Sequence, residues 1–424
     1  MIIDTDRMKK GRLPLIAGGL AVAVSACADD KPLNLFEPRG PQAERIDSLM
    51  TWIWVIVGVV FVLVIFGTIA IAWMNRVKGE DFDYEDLPEQ THGNNTLELG
   101  WTVAPTVLLA VISFFMVAAI WDLEVKNGED ELDVMVIGQQ WWWEYRYDVD
   151  DDGFFQDANG DGVVDEADQE LPLELALDPD DVVTANELVI PAGEQVDLII
   201  TSRDVIHSFW IPRLNGKRDA VPGRIHTWSV NADAPGKYTG WCTEFCGLSH
   251  ARMRMSTVAL EPAEFDEWLE GQKSRAEVPT DPDAVAGRDI FVTQCASCHV
   301  VDDGEIEYDD EVEHPLVSQA APNLTHFASR TTFAGGIYGV YLGPGTDPND
   351  DAFDVADYTS IAELAANPDS NDDYRINSAQ LKRWISDASS QKDMSPDDGR
   401  GMISFPALSD EDLDHLVAYL ATLD

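Results

Sequence analysis

Positive charge is what this sequence most lacks. Its 424 residues include 28 Lys and Arg against 77 Asp and Glu, a formal charge of −49. So few cations exclude the basic face that nucleic-acid phosphates require. They also exclude docking on anionic lipid headgroups by charge. Cysteine is scarce as well, with five in the chain: Cys27, Cys242, Cys246, Cys295 and Cys298. One is isolated, two are spaced Cys-x-x-x-Cys, and two belong to Cys-x-x-Cys-His. That excludes a disulfide framework and suggests cofactors instead. Hydrophobic residues are not lacking; at 45% they rule out a disordered acidic chain. The length allows two or three domains. Such uniform acidity reads as a whole-surface trait suited to a salt-rich habitat. Self-repulsion is screened there, because the Debye length falls to roughly 3 Å near molar salt.

Residues 1–26 read as an export signal. Lys9, Lys10 and Arg12 precede a run of apolar and small residues that ends in Val24-Ser25-Ala26-Cys27. This ending resembles a bacterial lipobox, which implies cleavage before Cys27 and acylation of its thiol. Residues 51–74 and 99–121 contain no charged side chain. At 24 and 23 residues, both exceed the ~20 that a spanning helix needs. An exported N-terminus followed by two spans returns the large C-terminal part to the outside. Arg76 and Lys78 then lie just inside the first span, in accord with the positive-inside rule.

Beyond Trp121 the pattern turns to short β-rich runs at 132–137, 143–147, 188–190, 196–201, 227–230 and 256–260. Turn residues punctuate them, as in a sandwich or barrel. A short helix over 263–269 closes this region, and 271–283 reads as a polar linker. The remainder is helical in pattern. Ser378 is placed to cap a helix carrying Leu381, Trp384, Ile385 and Ala388. Ser409 is placed to cap another carrying Leu413, Leu416, Val417 and Leu420.

Three stretches carry acidic side chains and no basic ones: 148–181 with 14, 302–313 with eight and 347–373 with nine. The last two read as solvated loops. The first contains an Asp-x-Asx-x-Asp-Gly pattern, with Asp157, Asn159, Asp161, Val163 and Asp168 at positions 1, 3, 5, 7 and 12 of a calcium loop and Gly162 at position 6. Position 12 is Asp rather than the usual Glu, which shortens the bidentate arm.

The densest chemistry is Cys242-Thr-Glu244-Phe-Cys246-Gly-Leu-Ser-His250-Ala-Arg-Met253. Two thiolates, an imidazole and a thioether within twelve residues suit copper or zinc. The thioether favours copper, since zinc uses methionine poorly. His207 lies 35 residues upstream of Cys242. This region resembles the copper-A domain of cytochrome c oxidase subunit II. Both apolar spans, the run Gly138-Gln-Gln-Trp141-Trp142-Trp143-Glu-Tyr145, His207, Asp219-Ala-Val-Pro-Gly223-Arg224 and the cysteine loop carry the resemblance. It implies that Cys242 and Cys246 bridge two copper ions and that His207 and His250 each terminate one. Met253 and the carbonyl of Glu244 are implied as weak axial ligands, with Met255 as a rival to Met253. It further implies that the Glu244 side chain faces a magnesium ion at the catalytic subunit. Trp141 becomes the residue through which electrons arrive, against plain core packing. Glu98, in Glu98-Leu-Gly-Trp101-Thr-Val-Ala-Pro105, becomes the mouth of a proton path, against a solvated carboxylate favoured by a helix N-terminus.

Cys295-Ala-Ser-Cys298-His299 is a c-type haem attachment motif, with two thioether cysteines and an iron-ligating histidine. Gly287, Phe291, Ala321-Pro322-Asn-Leu324 and Leu416-Val-Ala-Tyr419-Leu resemble class I cytochromes c. A late methionine is then the sixth ligand. Met402 fits the family's distance to the last helix, although Ile403 stands where proline usually follows, and Met394 is the alternative. His92, His226, His314, His326 and His415 fit no motif and read as structural or solvent-facing.

The expected architecture is a multidomain membrane protein: a two-helix transmembrane hairpin, a cupredoxin-like Greek-key β-barrel and an all-α cytochrome c domain. Its expected divisions are a signal at 1–26, an exported segment at 27–47 and the hairpin at 48–122. The copper-A domain follows at 123–270, the linker at 271–283 and the cytochrome c domain at 284–424. The resemblance implies a bacterial cell-membrane subunit with its C-terminal domains outside. It would take electrons from an external donor through haem c and copper A to a catalytic oxidase subunit that reduces oxygen and pumps protons. The alternatives are the copper-A subunit of a nitric oxide reductase and a membrane-held electron carrier without a catalytic partner.

Overall fold

The computed structural model describes residues 33–76, 93–123, 132–147, 181–308, 320–342, 375–396 and 400–424. The signal with Cys27, the calcium loop of Asp157, Asn159, Asp161, Val163 and Asp168, and His92 and His314 lie outside the described residues. Helix α1 spans Pro41–Met74 and α2 spans Asn95–Leu123. Their apolar windows have mean hydropathies of 3.0 and 2.5 and are almost entirely unburied within the chain. Side chains apolar all round, with Trp52, Phe61, Phe66, Phe114 and Trp121 exposed, suit helices meant for lipid or for partner helices.

The first helix starts earlier than its uncharged run. Its first turn and the residue before its cap are gripped by the β region: Ala43 N–H donates to Leu214 O at 3.1 Å, and Arg39 N–H to Arg213 O at 2.7 Å. Gln42 Nε2 donates to Ser229 Oγ at 3.3 Å. An Arg45–Asp122 ion pair ties α1 to the end of α2. Glu98 is exposed in the first turn of α2, where the Asn94 side chain accepts from Thr96 N and Leu97 N.

Ten strands follow. They are β1 Leu132–Gln139, β2 Trp142–Tyr147, β3 Val182–Ala185, β4 Glu187–Pro191, β5 Val196–Ser202, β6 His207–Phe209, β7 Arg218–Ala220, β8 His226–Val230, β9 Gly236–Trp241 and β10 Arg254–Leu260. They form a five-stranded sheet β3-β2-β1-β5-β8, a three-stranded sheet β4-β10-β9 and the small pair β6-β7. β1 runs parallel to β5 and β4 parallel to β10; the other pairings are antiparallel. Trp143, Tyr145, Leu188, Ile190, Leu198, Ile200 and Phe209 are buried in one core shared by both sheets. The tight β1–β2 hairpin pairs Gln139 with Trp142, which leaves Gln140 and Trp141 at its tip.

Helix α3, Pro262–Gln272, closes the β region with a capping box between Glu261 and Glu264. Helix α4, Pro282–Gln294, is capped by Asp281, so the connection between them is shorter than the polar run suggests. It is not a loose tether: Ala276 is buried in the C-terminal core, and its N–H donates to Asp302 O at 2.9 Å. The C-terminal region carries two antiparallel pairs, β11 Thr332–Phe333 with β12 Tyr338–Gly339 and β13 Tyr341–Leu342 with β14 Arg375–Ile376. Its described part is therefore helical with small β additions rather than wholly helical. Helices α5 Ser378–Ser386, α6 Ala388–Gln391 and α7 Asp410–Leu420 complete it.

Asn377, not Ser378, caps α5, its side chain accepting from Gln380 N. Ala388 belongs to α6, because Asp387 breaks the run and caps a new turn through Ser390 N. Ser409 caps α7, in a capping box with Asp412. Helices α4 and α7 approach so closely that a Cβ on Gly287 would collide with His415 O and stand 2.8 Å from Tyr419 Cβ. Phe291 and Tyr419 pack across this contact with ring centroids 5.5 Å apart.

Candidate metal centre and the adjoining cavity

The cysteine loop leaves β9 at Trp241 and rejoins the sheet at Arg254 in β10. It is closed at its base by Cys242 N–H donating to Met253 O at 3.0 Å. Within it, Cys242 Sγ lies 3.7 Å from Cys246 Sγ and 3.3 Å from the carbonyl oxygen of Glu244. Cys246 Sγ lies 3.6 Å from His250 Nδ1 and 3.8 Å from Met253 Sδ. Cys242 Sγ lies 3.9 Å from Nδ1 of His207, at the start of β6. His207, Cys242, Cys246 and Met253 are buried; His250 is half-buried, and the Glu244 side chain is exposed. Each thiol thus has its own imidazole, and the two thiols face each other. Met255 is buried in the same β core, and it is Met253 whose sulfur lies beside Cys246.

His207 reaches the thiols because Gly138 faces it. A Cβ at that glycine would stand 2.8 Å from His207 Cδ2. Asp204 Oδ1 lies 2.8 Å from His207 Nε2, an arrangement that orients Nδ1 toward Cys242. Burial works against the charged ring, but Asp204 and Cys242 outweigh it and raise the pKa of His207. The Cys246 thiol beside it lowers the pKa of Cys242 against the effect of burial. The pKa of Cys246 is raised by that neighbour and by burial. Thiolate, imidazole and thioether together are a donor set that suits copper.

A second site adjoins the first. A cavity of about 390 Å³ lies between the C-terminal region and the tip of the β1–β2 hairpin. Cys295, Cys298 and His299 line it, as do both Met394 and Met402. His299 Nδ1 lies 2.8 Å from Pro322 O. A carbonyl only accepts, so Nδ1 carries the proton and Nε2 keeps a lone pair. Burial lowers the pKa of His299, which favours that neutral form. Arg330 also lines the cavity. No carboxylate pairs with it among the described residues, and burial lowers its pKa to about 10. An apolar chamber with two thiols, a neutral imidazole, thioethers and the basic side chains of Arg330 and Lys392 fits a thioether-linked haem with its carboxylates. Met402 packs against the C-terminal core, whereas Met394 packs against the β core.

Trp141 and Trp142 line the same cavity from the hairpin side. Trp141 is only 3% exposed, and its Nε1–H donates to Cys246 O at 3.0 Å. Lys392 donates from Nζ to Trp141 O at 2.6 Å and is itself buried. Burial lowers its pKa to about 7, and either protonation state donates to a carbonyl. No local pattern marks Lys392, which is 251 residues from its partner.

Of the remaining histidines described, His326 bridges Asp424 O and Ser274 O at 2.9 and 3.0 Å. His226 Nδ1 lies 2.6 Å from Asp219 O, and His415 lies 3.6 Å from Asp283. None of them approaches the thiols.

Two family models match the chain. The one described as cytochrome c oxidase subunit II, transmembrane domain, matches residues 29–118; the one described as cytochrome c oxidase subunit II, periplasmic domain, matches 132–260. A cytochrome c oxidase subunit 2 of Alkalihalophilus pseudofirmus is 29% identical over 411 residues, which covers 95% of this chain and 94% of that one. The protein of that name from Bacillus sp. (strain PS3) is 30% identical over 275 residues, 61% of this chain and 66% of the relative. Its counterpart in Zea mays is 32% identical over 187 residues, 44% of this chain and 70% of the relative. These matches take in both apolar helices and the β domain, which is accordingly cupredoxin-like and extracytoplasmic on a membrane protein. They also imply a copper-A site where the cysteines and histidine converge. The chain belongs to the cytochrome c oxidase subunit II family.

Proposed function

We propose that this chain receives electrons for a respiratory haem-copper oxidase in a bacterial cell membrane, carrying them from an external donor through haem c and copper A to the catalytic subunit. The observation that carries the reading is the convergence of both thiols, two imidazoles, a thioether and the Glu244 carbonyl within 3.3–3.9 Å contacts, beside a cavity lined by Cys295, Cys298 and His299.

Cys242 and Cys246 would bridge two copper ions, His207 and His250 would each terminate one, and Met253 and Glu244 O would be axial. A thiolate-bridged copper pair supplies one-electron storage shared over two ions, so that little rearrangement accompanies each transfer. Cys295 and Cys298 would hold the haem by thioethers, with His299 Nε2 and Met402 on iron. Packing of Met402 with the core of its own region favours it over Met394. Haem supplies a second one-electron carrier whose potential its axial ligands set. The chain's own part is to fix these donors, exclude water and present Trp141 between them. Because Trp141 is buried against the C-terminal region, an external donor protein would dock on that region rather than on the hairpin tip.

The exposed Glu244 carboxylate would face a magnesium ion shared with the catalytic subunit. Glu98 lies at the far end of α2 from the β domain, ~40 Å along a helix of 29 residues, which suits a proton path opening on the inner side. Anchoring through Cys27 and calcium at 157–168 complete the proposal. The test is a Cys242→Ser variant of the purified complex. The near-infrared copper band should vanish while the haem c spectrum stays. Wild-type complex should consume oxygen with reduced donor; consumption of nitric oxide instead would favour the reductase reading.

A further inference from the structure

The C-terminal region is not merely adjacent to the copper loop; one short segment grips it. Arg252 Nη1 donates to Gln391 O, and Ser249 Oγ donates to Asp393 O. Between these two contacts Lys392 Nζ reaches Trp141 O at 2.6 Å and Ala334 O at 3.4 Å. The following residue but one, Met394, lines the cavity. Trp141 is therefore held at both ends. Its indole N–H is bound to Cys246 O in the copper loop, and its carbonyl is bound to a lysine of the haem side. Gln140 adds a second donor to Cys246 O at 2.6 Å.

We infer that Lys392 is a positioning residue for electron transfer between the cavity and the copper loop, fixing the hairpin tip so that Trp141 stays in contact with both. This rests on the haem and copper reading above. The transfer moves one electron, oxidising the haem iron by one unit and reducing the copper pair by one, with no bond made and no proton moved. Electron transfer weakens steeply with added gap, so a released hairpin tip should slow the reaction even when both cofactors are bound. The docking of the two regions does not depend on Lys392 alone. Glu187 holds Thr331 and Thr332 at a separate contact. Loss of the lysine should thus free Trp141 without separating the regions.

The experiment compares wild type with Lys392→Met, which keeps an unbranched apolar stem and removes the donor, in the purified complex. Three things are read: the copper and haem spectra, the rate at which a photo-injected electron equilibrates from haem to copper, and hydrogen exchange of peptides covering 139–143 and 331–333. The expected result is unchanged spectra, equilibration slowed at least tenfold, faster exchange at 139–143 and unchanged protection at 331–333. A wild-type rate overturns the inference. So does slowing accompanied by loss of protection at 331–333, which would make Lys392 a general docking contact. If Lys392→Met does not accumulate, Lys392→Gln is read the same way, its shorter amide being unable to span the gap. A wild-type chain without covalent haem would instead overturn the proposed function.

Discussion

Glu187 in strand β4 accepts hydrogen bonds from both the backbone N–H and the hydroxyl of Thr331, a residue 144 positions later in the C-terminal region. Thr332 Oγ1 donates to the same carboxylate at 2.9 Å, and Lys237 Nζ at 3.0 Å. Glu187 and Lys237 are both almost fully buried. Removing one member of such a pair strands a buried charge, at a cost of about 3–5 kcal/mol. Glu187→Ala should therefore loosen the contact between the two regions, seen as faster hydrogen exchange at 331–333. The pH dependence has a definite sign. Burial alone would raise the Glu187 pKa, but Lys237 and Thr331 outweigh it and hold the pKa below its ordinary 4.5. The stabilisation is present above that value and is lost as pH falls through the lowered one. In the variant this acid-dependent loss should be missing.

Gly138→Ala places a methyl against the His207 ring at 2.8 Å. The ring must move, and Cys242 then loses its imidazole neighbour. Copper content by elemental analysis should fall well below that of wild type, with the haem band intact. Full copper loading with an unaltered near-infrared band would show that the histidine has room to yield.

Both Met394 and Met402 line the cavity. Met402→Ala should convert the low-spin methionine-ligated haem signal to another form, and Met394→Ala should leave it. The weak long-wavelength absorbance of a methionine–iron bond in the oxidised protein reads it directly. The opposite pair of results would move the ligand to Met394 and leave the fold unchanged.

The acidity makes a separate prediction. With 28 basic against 77 acidic groups, repulsion should oppose the folded state in dilute buffer. The melting temperature of the purified protein should rise with potassium chloride and level off toward about 1 M, where screening is nearly complete. A melting curve independent of salt would remove the halophilic reading.

The copper loop was legible because its donors are packed into one stretch, from Cys242 to Met253, with His207 as the single distant member. The capped helix after Ser409 was legible for the same reason: local chemistry sets it. Strands β6 and β7, with three residues each, are too short for any alternation to register. Lys392 and the Glu187–Thr331 contact were invisible because each acts across a junction between regions. Nothing within a few residues of any of them records its partner. Core packing was a stated alternative for Trp141, but its cover by the C-terminal region was unreadable for the same reason.

Helix α1 runs without a break from Pro41, where its first turn is hydrogen-bonded into the β domain, to Met74. Its 34 residues span roughly 51 Å, against ~30 Å of hydrocarbon. The helix is thus a rigid strut whose foot stands in the bilayer and whose head is fastened beside the β sheets. The height and bearing of the copper loop above the membrane are set by helical register, like a lamp on a threaded post. One residue inserted between Pro41 and Thr51 would lift the head by ~1.5 Å and turn it by about 100°. Any partner that meets both the helix pair and the copper loop therefore constrains the length of this segment to the residue.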